Sequence, residues 1–177
     1  MSVERIRPAN QDALLALADA KQWARVDGND DDWDFARMIG AVAREAEDYA
    51  QIALLDQTIR ILLPRWPRGH VRLPIVPILD RASVSVTINT EPWPDTLLDG
   101  GSRPLLIMCG NPPPGVVVIE YRAGFGALPE AIPADIRQAM LDQVAVYYDA
   151  RGAMDAKTIT LSPHFARILG RYRGVGL

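Results

Sequence analysis

Few residues of this chain could carry proton transfer or nucleophilic chemistry near neutral pH: one cysteine, Cys109, and two histidines, His70 and His164. A Cys–His couple needs the imidazole beside the sulfur to hold a thiolate, and no flanking motif around Cys109 supports that pairing. A lone cysteine also rules out an internal disulfide and a thiolate metal cage within one chain. The acidic run DGNDDDWD invites a calcium loop, which requires glycine at its sixth position and glutamate at its twelfth. Counted from Asp27, those positions are Asp32 and Met38, so the pattern fails, and helix capping accounts better for the aspartates. The glycines of AGFG (Gly124, Gly126) and the pair Gly100–Gly101 lack both a Walker lysine and a strand–GxGxxG–helix setting, which argues against a phosphate cradle. Tyr147, Tyr148, Trp66 and Trp93 could stack on bases, but no basic residues are interleaved with them, and packing is the better reading. No catalytic residue, metal ligand or cofactor site is therefore predicted. Cys109 is expected to be a buried or half-buried side chain at a strand end.

The elements that would have to position any site come next. The 177 residues suit one domain with an elaborated subregion, and the 49% hydrophobic and 23% charged composition is that of globular proteins. No apolar run approaches the roughly 18 residues of a membrane span. The start, MSVERIRPANQDALLALADAK, lacks an apolar export core, predicting a chain that stays in the cytoplasm where it is made. Net charge is −3, with 19 basic and 22 acidic side chains, whereas a protein that grips nucleic acid shows a basic surplus.

Residues 12–24 predict a short helix with Asp12 at its start. Phe35, Met38, Ile39, Val42, Ala43, Ala46, Tyr49, Ala50 and Ala53 recur every three or four positions and predict a long helix from about Asp32 to Leu54, entered through Asp30, Asp31 and Asp32. Beyond Asp56 the period becomes two. Ile59, Ile61 and Leu63, then Val84, Val86 and Ile88, then Val117, Ile119 and Tyr121 mark strands, and their polar alternates favour antiparallel sheet. The proline-rich joints PRWPRG, LPIVP, EPWPDTLLDGGSRP and GNPPPG predict turns, edge strands or extended arms. Helix returns over 133–150 with Ile136, Met140, Val144 and Tyr147 on one side, and its stripe predicts packing against the long helix. Ser162 and Pro163 then announce a last short helix carrying Phe165, Ile168 and Leu169, followed by RYRGVGL. The fold class is α+β: a helical core of two N-terminal helices and a C-terminal helix, an inserted antiparallel β region over 56–123, and a C-terminal tail element over 153–177, all within one domain spanning 1–177.

The order AKQWARVD, DDDWDFARMIGAVAREAEDYAQIAL, DQTIRILLPRWP, VRLPIVPILDRASVSVTI, VVVIEYRAGFG and IPADIRQAMLDQVAVYYDARG resembles the head–tail connector (adaptor) proteins of long-tailed phages and of gene transfer agents. The resemblance covers roughly residues 12–152. It departs at Ile52-Ala53-Leu54, where the family often has a Thr-Gly-Arg-like turn.

The resemblance implies a virion component without enzymatic activity. It would be a ring of copies, matching a twelve-fold portal, between the portal protein and the stopper or tail-terminator protein, with DNA passing through the lumen unread and no membrane contact. Assembly would take place in the bacterial cytoplasm. It favours docking of the last segment on the portal or an adjacent subunit, through Phe165, Ile168, Leu169, Arg171, Tyr172 and Arg173, with residues 159–177 ordered only on assembly. Trp66, Trp93, Leu97 and Leu98 are spare apolar residues for lateral contacts, or for packing within the monomer. The readings from other classes are a small hydrolase using Cys109 or an Asp/His pair, and a generic interaction module.

Overall fold

A computed structural model describes residues 1–7, 14–67, 69–151 and 160–174. The chain divides into a β unit (Met1–Gln11 with Leu55–Ala127) and a helical unit (Asp12–Leu54 with Leu128–Leu177); the Leu55–Ala127 part falls between helical segments, as the change of period predicts, whereas the N-terminal part of the β unit precedes them.

Strands β1 (Ser2–Ile6), β2 (Gln57–Leu63), β4 (Ser85–Ile88), β5 (Glu91–Pro92) and β8 (Val117–Ala123) form an antiparallel sheet ordered β1-β2-β8-β4-β5. Alternation sets its faces. Ile59, Ile61, Leu63, Val86, Ile88, Val117, Ile119 and Tyr121 point inward and are buried. On the outer face Arg60, flanked in register by Glu4 and Glu120, donates to Glu120 at 2.5 Å and to Glu4 at 3.4 Å. A second antiparallel sheet, β3 (His70–Arg72), β7 (Leu105–Met108) and β6 (Thr96–Leu98), is ordered β3-β7-β6 and is built from the proline-rich segments. Strand β1, which the sequence pattern did not mark, and the second sheet are the additions to the expected β region. His70 opens β3, directly after the PRWPRG joint.

The LPIVP segment is held by Tyr121. Its hydroxyl donates to the Ile75 carbonyl at 3.1 Å and accepts from the Ile75 amide at 3.2 Å, while Leu73, Ile75 and Val76 are buried around it. Burial, the largest influence, pushes the Tyr121 phenol well above its ordinary pKa, so it remains a neutral structural bond. The β4–β5 hairpin turns on Asn89 and Thr90, both at positive φ, the handedness that two-residue hairpins require. The Asn89 side chain also accepts from Val116 N at 3.0 Å and donates to Pro114 O at 3.2 Å, tying down the GNPPPG loop.

The helical unit comprises α1 (Leu17–Trp23), α2 (Asp32–Ala50), α3 (Ala134–Ala150) and α4 (Pro163–Tyr172). Ile39, Val42, Ala43 and Ala46 of α2 are buried, as are Ile136, Ala139, Met140 and Val144 of α3, and the two helices pack together as their stripes predict. Phe35 stacks on Tyr148 with centroids 4.6 Å apart.

Two helix boundaries differ from the sequence reading. Helix α1 begins at Leu17 after Ala16, which offers no capping side chain, and Asp12 lies outside the described residues. Helix α2 ends at Ala50 instead of Leu54, because Gln51 turns left-handed at φ 55°. The buried Glu47 carboxylate then accepts the Leu54 amide at 3.0 Å and the Glu47 carbonyl accepts the Ile52 amide at 3.1 Å, so both groups are satisfied without helix.

Candidate interaction surfaces

No hydrogen bond joins Cys109 to His70 among the described residues, and His164 belongs to the other unit. Cys109 lies just past the end of β7 and is exposed, rather than buried or half-buried as expected. His70 is exposed on β3 of the β unit, whereas His164 lies in the first turn of α4 in the helical unit, with Nδ1 4.0 Å from Asp142. Among the described residues no group of three or more His, Cys, Asp or Glu is placed to hold a metal ion. No described helix is long and apolar enough to cross a membrane. Trp66 and Trp93 are half-buried, and each donates its indole N–H within its own loop, Trp66 to Gly69 O at 3.4 Å and Trp93 to Asp95 O at 3.3 Å.

The C-terminal helix carries the residues named for partner binding. Ser162 caps it as predicted, its hydroxyl accepting from Phe165 N at 3.0 Å, and Gln143 of α3 accepts the Ser162 amide at 2.7 Å. Phe165, Ile168 and Leu169 are buried within the helical unit, and Phe165 meets Tyr49 of α2 at 6.3 Å between centroids. The apolar face of α4 is thus covered by α2 and α3 of its own chain, the other docking place open to so short a helix. Tyr172 donates to the Asp135 carboxylate at 3.1 Å. Burial first and that carboxylate second raise its pKa. Arg173 lies 5.5 Å from the Tyr49 ring centroid. What α4 turns outward is basic: Arg167, Arg171 and Arg173 are exposed, and no carboxylate occurs on the helix. The spacer over 155–158 and the last three residues lie outside the described residues.

The aspartates before α2 do more than favour the helix dipole. Asp31 occupies the cap position without capping, and reaches instead to the end of α3, accepting from Tyr148 Oη at 2.7 Å and from both terminal nitrogens of Arg151 at 2.9 and 3.0 Å. The Arg151 guanidinium also lies 3.9 Å from the Tyr148 ring centroid. Bonding to Arg151 first, and to Tyr148 second, holds the Asp31 carboxyl below its usual value. A depressed carboxylate stabilises the fold above its unfolded pKa, about 3.9, and the effect fades as pH falls through the lower folded value. Asp31→Asn is therefore expected to lower the melting temperature at pH 7 and to leave a shallower loss below pH 4 than in the parent, read by thermal scans from pH 2.5 to 7.

Two further patches carry exposed large apolar side chains. Trp33, in the first turn of α2, is 69% exposed, with the Arg37 guanidinium 4.5 Å from its ring centroid. On the three-stranded sheet, register places Leu97, Ile107 and His70 side by side on one face, with Leu105 and Arg72 on that same face. Leu97 is 57% exposed there.

The arrangement defines an α+β chain of a helical unit and an antiparallel β unit that alternate along the sequence, with exposed arginines on α4 and exposed apolar side chains at Trp33 and Leu97. Solved structures share this fold over its whole length. A chain in the neck of an empty gene transfer agent (GTA) particle, computed with C6 symmetry, matches with TM-score 0.77 at 24% identity, over 100% of this chain and 97% of that one. A chain in the virion of a native gene transfer agent particle matches with TM-score 0.76 at 24% identity, again over 100% and 97%. A chain in the neck of a native GTA particle computed with C12 symmetry matches with TM-score 0.76 at 23% identity and the same coverage. No protein-family model matches the chain, and no curated protein matches it significantly.

Proposed function

We propose that this chain is a structural, non-catalytic adaptor subunit of a tailed phage or gene transfer agent particle, forming a ring in the neck between the portal and the stopper or tail and leaving a lumen for DNA. The observation that carries this reading is the match of the entire fold, at TM-score 0.77, to a chain from a GTA neck. The ordered motifs of the sequence point the same way. A net charge of −3 suits a wall that DNA slides past, since strong phosphate attraction would retard passage. Among the surfaces, the outward arginines of α4 are the part of the proposed partner-binding set left to meet the portal or a neighbouring subunit, because Phe165, Ile168 and Leu169 already fill the helical unit.

The test is deletion of the gene, followed by imaging and mass analysis of the particles. Filled heads without tails, restored by the wild-type chain, and recovery of the chain with purified necks are the expected results; normal particles without the chain overturn the proposal. Arg167→Glu, Arg171→Glu and Arg173→Glu in one chain are expected to leave its melting temperature within a degree or two and to reduce neck assembly. Replacing Cys109 with Ser, His70 with Gln and His164 with Gln is expected to preserve infection or gene transfer in complementation; loss with folded protein present would favour an enzyme.

A further inference from the structure

The turn between β6 and β7, residues 99–104, is anchored at its ends and bare at its tip. Asp99 N donates to Leu105 O at 2.8 Å, extending the ladder of the two strands, and the Arg103 guanidinium donates to Pro74 O at 2.8 Å. Between these anchors Asp99, Gly100, Gly101 and Ser102 are exposed. Within the tip the Asp99 carboxylate turns back on its own chain, where its Oδ1 accepts from Gly100 N at 2.7 Å. The amide nitrogen thus stands against an oxygen bonded to the side-chain carbon Cγ, a nucleophile held in reach of an electrophilic carbon.

We propose that Asp99 is a site of spontaneous isoaspartate formation. The Gly100 nitrogen gives up its proton and attacks Cγ of the Asp99 carboxyl group, which reacts as the acid. The new N–Cγ bond closes a five-membered succinimide, and the carboxyl hydroxyl leaves as water. Water then adds to one of the two ring carbonyls. Addition at Cγ breaks the new bond and restores aspartate; addition at the main-chain carbonyl carbon of Asp99 breaks the original peptide bond and leaves the chain running through Cγ. One water is lost and one regained, so mass is unchanged and no oxidant or co-reactant is needed. The product lengthens the main chain by one methylene beside the Asp99 N–Leu105 O bond and leaves a carboxylate on the α-carbon.

The chain holds two Asp–Gly pairs, Asp27–Gly28 and Asp99–Gly100, and no Asn–Gly pair. Glycine sets no side chain against the attacking nitrogen and leaves the backbone free to turn into the ring. At Asp27 no bond from Gly28 N to the carboxylate forms among the described residues. Asp135 does accept from Ile136 N, at 2.9 Å, but that nitrogen belongs to a buried β-branched residue in the first turn of α3, where ring closure would unwind the helix. A Cβ built on Gly100 meets nothing within 4 Å, so the tip has room for the ring. A particle does not replace its subunits, so the change would accumulate in a neck; that consequence rests on the adaptor reading, and the reaction itself does not.

Full-length protein held at neutral pH and physiological temperature, sampled over weeks, is expected to accumulate a species of unchanged mass. Its peptide holding residue 99 should elute apart from the parent peptide and resist a protease that cuts before aspartate. An isoaspartyl carboxyl methyltransferase with a labelled methyl donor counts the groups formed, and position 99 should carry more of them than position 27. Gly100→Ala, which has room for its methyl group, should slow formation about tenfold at an unchanged melting temperature. Asp99→Asn should close the same ring faster, releasing ammonia, and show the mass gain of deamidation at position 99. Isoaspartate no more abundant at 99 than at 27, an undiminished rate in Gly100→Ala, or formation only in urea-unfolded chain overturns the proposal. A chain recovered from necks but unmodified at 99 on ageing removes this inference and leaves the adaptor reading intact; a chain modified at 99 but absent from particles does the reverse.

Discussion

Gly124→Ala is expected to be among the most damaging single-methyl additions this chain can receive. Gly124 follows β8 at φ 145°, a conformation that L side chains rarely adopt, and a Cβ built there falls 2.5 Å from the Leu55 carbonyl carbon and 2.6 Å from the Asp56 nitrogen. Both neighbours are backbone, so no flexible side chain can swing aside. They are also held in place. Gly124 N donates to Pro77 O at 2.9 Å, Asp56 N donates to Gly126 O at 2.8 Å, and the Asp56 carboxylate accepts two bonds from Arg122. Backbone strain and overpacking together set a loss of about 2–5 kcal/mol. That corresponds to a fall in melting temperature of roughly 5–15 °C for a chain of this size. Thermal unfolding followed by circular dichroism measures it. Phe125→Ala, next in the chain, separates the loss of a side chain from the intrusion of one; a Gly124→Ala chain melting within two degrees of the parent would show that the turn can open freely.

The same turn shows which parts of the fold were legible. AGFG is visible in the sequence as a glycine turn, but its reason, the approach of the Leu55–Asp56 backbone from a segment far away in sequence, is a tertiary fact. Local and periodic signals were read well: the α2 stripe, the alternation of β2 and β8, and the Ser162–Pro163 start of α4 all appear where the pattern puts them. Strand β1 escaped because a five-residue edge strand reading Ser-Val-Glu-Arg-Ile is exposed along nearly its whole length, so no buried face imposes an alternation. The left-handed Gln51 escaped because the group that makes it tolerable, the Glu47 carboxylate waiting for Leu54 N, is one turn back on the helix and silent in the apolar pattern. Cys109 was placed correctly at a strand end, but it falls one residue past β7, before the positive-φ Gly110, where it is exposed. The Asp31–Tyr148–Arg151 knot joins positions over a hundred residues apart, and nothing in DDDWD distinguishes a capping aspartate from one that crosses to another helix.

Helix α4 turns that ambiguity into an experiment. Its stripe of Phe165, Ile168 and Leu169 says that one face must be covered; the structure covers it with α2 and α3, and Phe165 is 0% exposed. Phe165→Ala removes a buried ring beside Tyr49 and is expected to cost about 3–5 kcal/mol, a phenylalanine truncation in a packed interior. Ser162→Ala removes the cap and is expected to cost about 1 kcal/mol. The two act on one helix, so the double variant should fall short of their sum once α4 has detached. Hydrogen exchange on the free protein gives the sharper reading. Amides of α4 should be protected in the monomer along with those of α2 and α3, and Phe165→Ala should release α4 first. Truncation after Lys157 should then destabilise the helical unit itself, leaving loss of assembly uninterpretable as loss of a docking tail. An α4 already exchanging freely in the parent, with Phe165→Ala costing nothing, would return the helix to the role of a segment ordered only by its partner. If instead α4 is protected, the arginine substitutions at 167, 171 and 173 are the changes that separate recognition from folding, because their side chains are exposed and contribute little to the packed interior.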